Sequence, residues 1–416
     1  MAKGNMLIAQ SGGPSMVINQ SLVGAVLAAK ANKHVGKIYG ALHGIQGILD
    51  ESFIDLRKET KARLEEIAQT PSSALGSCRR KPTQEDCEAI FKVLKKLQIR
   101  YFFYIGGNDS ADTARIINEA AVKAEYEICC MHIAKTIDND LLENDHTPGY
   151  GSAARFVACA IRGDDLDNRA LGGVKIDVIM GRNAGYLTAA AALARVDEDD
   201  GPHLIYVPER PFSAEKFCKD VKACMKKYGR CLVAVSEGIA DKDGTPIAAK
   251  FSQEVDSHGN VQLSGTGALG DLLAKLVKEK CGVSRVRADT FGYLQRSFPG
   301  IASEVDQQEA RQVGIEAVRA AVDEDVSRGS ITIKRKKGKK YAVYYEVVPL
   351  RRVAKDTRHL PDSFLNKAGN YVTEAFLDYV RPLIQGHYTP MMVEGLPRHL
   401  SMNMKDYDWS APRGKK

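Results

Sequence analysis

The chain has 416 residues, 44% of them hydrophobic and 27% charged, with a formal net charge of +7. That length exceeds what one hydrophobic core organises, so two domains are expected, and the composition excludes a disordered or collagen-like chain. No apolar run reaches the ~18 residues of a membrane span, and the start MAKGNMLIAQ lacks the apolar stretch of a secretory signal.

The expected location is therefore the cytoplasm, with no membrane partner. Nine cysteines, an odd number without a C-x-x-C pair, argue for reduced, mostly buried thiols rather than a disulfide framework or a structural zinc site. A modest positive charge suits a protein that handles anions.

From the N-terminus, NMLIAQSGG reads as a buried strand ending in glycines, and MVINQSLVGAVLAAKA follows with apolar residues at helical spacing. The same strand-then-helix unit returns in YFFYIGG before SADTARIINEAAVKA, and the strand EICCMHI runs into AKTIDND. Further along, GGVKIDVIMG, HLIYVPE and RCLVAVSEG are short apolar runs that stop at Gly, Pro or charge. Such runs alternating with helices predict an α/β fold of mainly parallel sheets covered by helices.

The polar stretch LLENDHTPGYGSAARF is the expected crossing between domains. It gives a first α/β domain over residues 1–145, a second over 146–340, and a C-terminal extension over 341–416 that packs back on the core. The basic run KRKKGKK, with Gly338 as its turn, reads as a solvated hairpin tip rather than a nucleic-acid arm. After it, SFLNKAGNYVTEAFLDYVRPLIQ is predicted as one helix, and the tail DYDWSAPRGKK as loosely ordered.

In sheets of this kind ligands gather at the carboxyl ends of strands. The first such end, QSGGPS, places Gly12 and Gly13 where open amides at a helix start can receive an anion; a tight structural turn is the other reading. At the next, GGNDS, Gly106 and Gly107 precede a helix that Ser110 can cap, with Asn108 and Asp109 between them. AKTIDND is denser, with Lys135, Thr136, Asp138 and Asp140 within six residues. On extended chain Asp138 and Asp140 point to the same side, so one can serve as a base while the other organises a metal. Phosphoryl transfer to an alcohol needs that equipment: a carboxylate for the hydroxyl proton, Mg²⁺ on phosphate oxygens and a cation for developing charge. A surface turn rich in Asp and Asn does not require Lys135 and Thr136 before it. Later strand ends add Met180, Gly181 and Arg182 in IMGRNAG, Glu237 in SEG, and Arg287, Tyr293 and Arg296 in VRADTFGYLQR. Arginines suit bidentate grip of phosphate, and Glu accepts from sugar hydroxyls.

In these motifs, TIDND, MGR, EG and GYLQR in this order, the chain resembles the phosphofructokinase family from about residue 11 to residue 296. The resemblance implies two Rossmann-like domains, the first binding the phosphate donor and the second the sugar phosphate, with the active site between them. It implies transfer of a phosphoryl group to the 1-hydroxyl of fructose 6-phosphate, with Mg²⁺ as cofactor. Asp138 matches the family's catalytic base. Thr136, with Ile137 beside it, stands where the family contacts sugar and transferring phosphate. Asp140 belongs to the same motif and, with Asn108, is the candidate metal ligand. Met180, Gly181 and Arg182 match the substrate-binding MGR, Glu237 the sugar-contacting Glu, and Arg287, Tyr293 and Arg296 the group that holds the 6-phosphate. Gly12, Gly13, Arg79 and Gly107 match donor contacts. Some family residues act across a subunit interface, which implies a homodimer or homotetramer.

ATP-using members have glycine where this chain has Asp109 and a small residue where it has Lys135; members that use pyrophosphate carry Asp and Lys there. A carboxylate in that place takes the room of an α-phosphate and repels its charge, while Lys135 serves a two-phosphate donor. The expectation is thus a reversible pyrophosphate-dependent 6-phosphofructokinase with weak allostery. The alternatives are an ATP-dependent enzyme, with sedoheptulose 7-phosphate as a further acceptor, and a non-catalytic regulatory subunit, against which the intact Asp138 counts. Three departures stand out. Asn108 replaces a metal-binding Asp, Ala134 replaces a Pro, and Gly173 occupies the place of an Arg that in the family grips the 6-phosphate from the neighbouring subunit, so that either Arg169 or Lys175 substitutes or the contact is missing.

Overall fold

The computed structural model describes residues 3–250 and 267–402, apart from Lys339, Lys355 and His387; the tail DYDWSAPRGKK lies outside them. Two sheets organise the chain. The larger has strands β1 (Gly4–Gln10), β2 (Val35–Ala41), β3 (Phe53–Asp55), β4 (Ile99–Gly106) and β5 (Cys129–Ala134). The smaller has β6 (Gly173–Ile179), β7 (Leu204–Tyr206), β8 (Arg230–Ser236) and β9 (Val286–Thr290), in the order β7-β8-β6-β9. The chain then returns to the larger sheet with β10 (Arg328–Arg335) and β11 (Val343–Val348), giving the order β11-β10-β5-β4-β1-β2-β3. Pairing is parallel throughout except at the two edges, β2 with β3 and β10 with β11.

The architecture is the α/β one that the residue pattern predicts, and burial explains why the pattern was readable. In β4, Phe102, Phe103, Tyr104 and Ile105 are each no more than 1% exposed, because helices cover both faces; each such side chain stabilises the fold by about 1.5–3 kcal/mol. The antiparallel hairpin of β10 and β11 adds its strands beside β5, so a cut at residue 340 falls in the hairpin's own loop. One prediction is overturned. Residues 363–385 do not form a single helix: only Glu374–Val380 is α-helical, with a short 3-10 turn at Asp362–Phe364 and another at Arg381–Ile384. Asn366 and Asn370 close a turn on each other, Gly369 takes φ +69°, and Leu365 pairs with Val372 across it. Asparagine and glycine favour that turn over helix continuation.

Strand register brings the functional loops together. Gln10 lies beside Ile105, and Gly106 beside Ala134, so three strands of the larger sheet end level. Ile179 likewise lies beside Ser236, and Val178 beside Thr290. The loops that leave these ends, 11–14, 107–110 and 135–140 on one side and 180–183, 237 and 291–296 on the other, face one cleft. Among the described residues no helix is long and apolar enough to cross a membrane, and all nine cysteines are free thiols, five of them buried.

Candidate active site

The cleft encloses about 750 Å³ and is lined from both sheets. Gly12, Gly13, Arg79, Gly107, Asn108, Asp109, Lys135, Thr136, Ile137, Asp138 and Asp140 face it from the larger sheet, and Met180, Arg182, Glu237, Tyr293 and Arg296 from the smaller. Two predicted residues stand apart. Gly181 lies behind the lining, where its carbonyl accepts from Ser236 Oγ at 2.6 Å. Arg287 is exposed on β9 and is not part of this chain's cleft.

On the donor side, Gly12 takes φ +74°, a left-handed conformation suited to glycine. The turn leaves the Gly13 carbonyl accepting from Lys135 Nζ at 2.5 Å. The Arg296 guanidinium crosses from the other side: its Cζ lies 3.1 Å from where a Cβ on Gly13 would stand. The helix Asn108–Lys123 starts at Gly107 without a side-chain cap. Ser110, predicted as the cap, instead lies inside the first turn, buried against Ser11 Oγ. The first amides of that helix are therefore open toward the cleft, as an anion site requires. Asp109 is held at the mouth by Lys81, Nζ to Oδ1 2.8 Å, a residue that sequence reasoning did not single out. Its carboxylate is thus paired with an ammonium at the edge of the cleft.

The 135–140 loop departs from the extended chain expected of it. Asn139, between the two carboxylates, takes φ +60°, a conformation asparagine tolerates. Its side chain secures the turn by accepting from Thr147 N at 3.1 Å and donating to Tyr379 Oη at 2.7 Å. Asp138 and Asp140 face the cleft together because the chain turns, not because it is extended. Thr136 Oγ1 accepts from Asp138 N at 3.1 Å.

Burial sets the electrostatics. It raises the Asp138 carboxyl above its ordinary value against the pull of Arg296, Lys135, Arg182 and Arg79. Burial, then repulsion from Asp138, pushes Asp140 up to about 7. Lys135, only 3% exposed, is pushed down to about 8 by burial and by Arg296. Such perturbed groups around one cleft make it the candidate reaction site. Both candidate substitutes for the Gly173 position, which would act on a neighbouring subunit's cleft, sit in ion pairs within this chain. Arg169 is bound to Asp199 and Asp200, and Lys175 to Asp164 and Asp289, both outside the cleft. Asp164, Asp177 and Asp289 lie close together, and the Lys175 ammonium sits among them.

The model of the family "Phosphofructokinase" matches residues 5–321. The chain belongs to the phosphofructokinase family. It is 58% identical over 386 residues, 92% of this chain and 95% of the relative, to the pyrophosphate--fructose 6-phosphate 1-phosphotransferase of Rhodospirillum rubrum. The protein of the same name from Xanthomonas campestris is 38% identical, with 97% of each chain covered. Among solved structures, the pyrophosphate-dependent phosphofructokinase of Nitrosospira multiformis superposes with a TM-score of 0.86 at 34% identity, covering 95% of this chain and 96% of that one.

Proposed function

We propose that the chain is a pyrophosphate-dependent 6-phosphofructokinase: it moves a phosphoryl group, reversibly, from pyrophosphate to the 1-hydroxyl of fructose 6-phosphate. The observation that carries the reading is the meeting of Lys135, Asp138 and the Gly12–Gly13 turn in one cleft, with Lys135 Nζ on the Gly13 carbonyl at 2.5 Å. The near full-length likeness to proteins named for this reaction supports it.

In this reading Asp138 takes the proton of the 1-hydroxyl as that oxygen bonds to the terminal phosphorus. The bond from that phosphorus to the bridging oxygen breaks, and phosphate leaves with the electron pair. Lys135, which reaches the donor turn, stabilises charge on the transferring group. Glu237, Met180 and Arg182 shape the sugar site, and Tyr293 with Arg296 holds the 6-phosphate. Arg287, exposed on β9, serves the cleft of a second copy in a homodimer or homotetramer. Phosphofructokinases use Mg²⁺, which supplies neutralisation of the phosphate oxygens. Asp140 offers a hard carboxylate oxygen to the cleft and Asn108 a neutral amide one, so the donor set fits. Work on small phosphorylated metabolites suits the cytoplasm.

A coupled assay with fructose 6-phosphate and Mg²⁺ tests the assignment. Turnover with pyrophosphate and not with ATP is the expected result. Turnover with ATP alone assigns the donor to the nucleotide, and none with either marks a non-catalytic subunit.

A further inference from the structure

Residues 357–360 lie far from every motif in the chain, yet they touch both halves of the cleft. Thr357 pairs with Leu141 as an antiparallel bridge, and Arg358 N donates to Asp140 O at 2.7 Å. The Arg358 guanidinium donates to Asn139 O from Nη2 at 2.6 Å and from Nε at 3.1 Å, and from Nη1 to Asn144 O and Asp145 O, both at 2.7 Å. Three carbonyls of the chain that carries Asp138 and Asp140 thus accept from one side chain, and Tyr379 Oη adds a second donor to Asp145 O at 2.7 Å. The opposite side of the same segment holds the loop that follows Met180–Arg182. Arg358 Cζ stands 4.7 Å from the centre of the Tyr186 ring, and Tyr186 Oη donates to His359 O at 3.0 Å. His359 Nδ1 donates to Asn183 O at 2.9 Å. Leu360 N donates to Glu209 Oε1 at 2.8 Å, and the same oxygen accepts from Gly185 N at 2.9 Å.

We infer that Arg358 is a positioning residue for phosphoryl transfer: with His359 and Leu360 it forms a strap that fixes the aspartate loop against the sugar-binding loop. The inference rests on the functional reading above. Loop carbonyls that lack strand or helix partners need donors. A planar guanidinium reaches several at once, where a lysine ammonium on a flexible stem does not. Among the described residues Arg358 forms no salt bridge to a carboxylate, so its hydrogen bonds are spent on loop geometry. Because Asp138 belongs to one loop and the acceptor's contacts to the other, the strap sets the approach of hydroxyl to base. A displacement of about 1 Å at such a centre costs roughly a hundredfold in rate.

The test is steady-state kinetics of Arg358→Lys and Arg358→Ala, after wild-type turnover with pyrophosphate has been measured; absence of that turnover would count against the functional reading and not the strap. Arg358→Lys is expected to keep the wild-type Tm within a few degrees, lose at least roughly tenfold in kcat, and leave the pyrophosphate KM within about twofold. Added guanidinium ion is expected to restore part of the kcat of Arg358→Ala. A kcat within about twofold of wild type in the folded Lys variant, or losses that only track the folded fraction, overturn the proposal. Should neither Arg358 variant fold, Tyr186→Phe cuts the strap from the other side. There a raised fructose 6-phosphate KM or lowered kcat supports the strap, and unchanged kinetics overturn it.

Discussion

Removal of the Asp138 carboxylate isolates the proton-transfer step. Asp138→Ala is expected to lower kcat by roughly 10²–10⁴ with little change in either KM, the scale of lost general-base assistance. Persistence near the wild-type rate would remove Asp138 from the mechanism. A neighbouring group sets the pH dependence. Burial and Arg296 hold Lys135 down to about 8, so it loses its charge as pH rises through that value. kcat/KM for pyrophosphate should therefore fall along a basic limb near pH 8. A Lys135→Arg enzyme should lose that limb. On the donor side, Asp109 is bridged to Lys81, so charge repulsion of a nucleotide is muted while the space stays filled. Asp109→Gly with Lys135→Gly should weaken the use of pyrophosphate and permit some turnover with ATP. A double variant that still rejects ATP would put donor choice elsewhere in the cleft.

At the scale of elements, the site depends on strand ends being level, and His132 helps to hold them so. Its Nε2 donates to Gly106 O at 2.9 Å, which leaves Nδ1 to accept from Ser330 Oγ at 2.8 Å, tying β5 to β4 and β10. Burial pushes the ring's pKa down to about 4, below the unfolded value near 6.5. Between those values the unfolded chain binds the extra proton, so stability falls as pH drops from about 6.5 to about 4, by up to about 1.4 kcal/mol per pH unit for this group. Replacing His132 by Asn should flatten the dependence of urea midpoints on pH between 7 and 5, and an unchanged slope would show that another group carries it. The elements that form the cleft were legible where strands are buried on both faces: β1, β4, β5, β6 and β8 read as continuous apolar runs. β2 was not, because it carries Gly36, Lys37 and Gly40. Motif residues of the site were legible because their chemistry clusters along the chain. Arg358 and Lys81 were not, because each acts on partners distant in sequence: the carbonyls of residues 139–145 and the carboxylate of Asp109.

For the whole molecule, the unanswered demand is for the sugar's 6-phosphate. Within one chain Tyr293 and Arg296 reach the cleft, Gly173 supplies no charge, and Arg169 and Lys175 are bound elsewhere. Arg287 lies exposed on edge strand β9, where a second copy can receive it. If Arg287 serves the neighbouring cleft, Arg287→Ala should raise the fructose 6-phosphate KM by roughly ten- to a hundredfold, the loss of about 1.5–3 kcal/mol from a charge-assisted contact. Mixing then separates a shared site from a local one. Asp138→Ala chains still offer Arg287, and Arg287→Ala chains still offer Asp138, so a hybrid dimer rebuilds one intact cleft. Unfolding and refolding the two variants together in equal amounts should recover about a quarter of wild-type activity at low fructose 6-phosphate, since half the dimers are hybrid and each has one working site. Recovery no greater than the average of the two parents would place Arg287 outside any neighbouring cleft and leave Arg296 and Tyr293 to hold the phosphate within one chain.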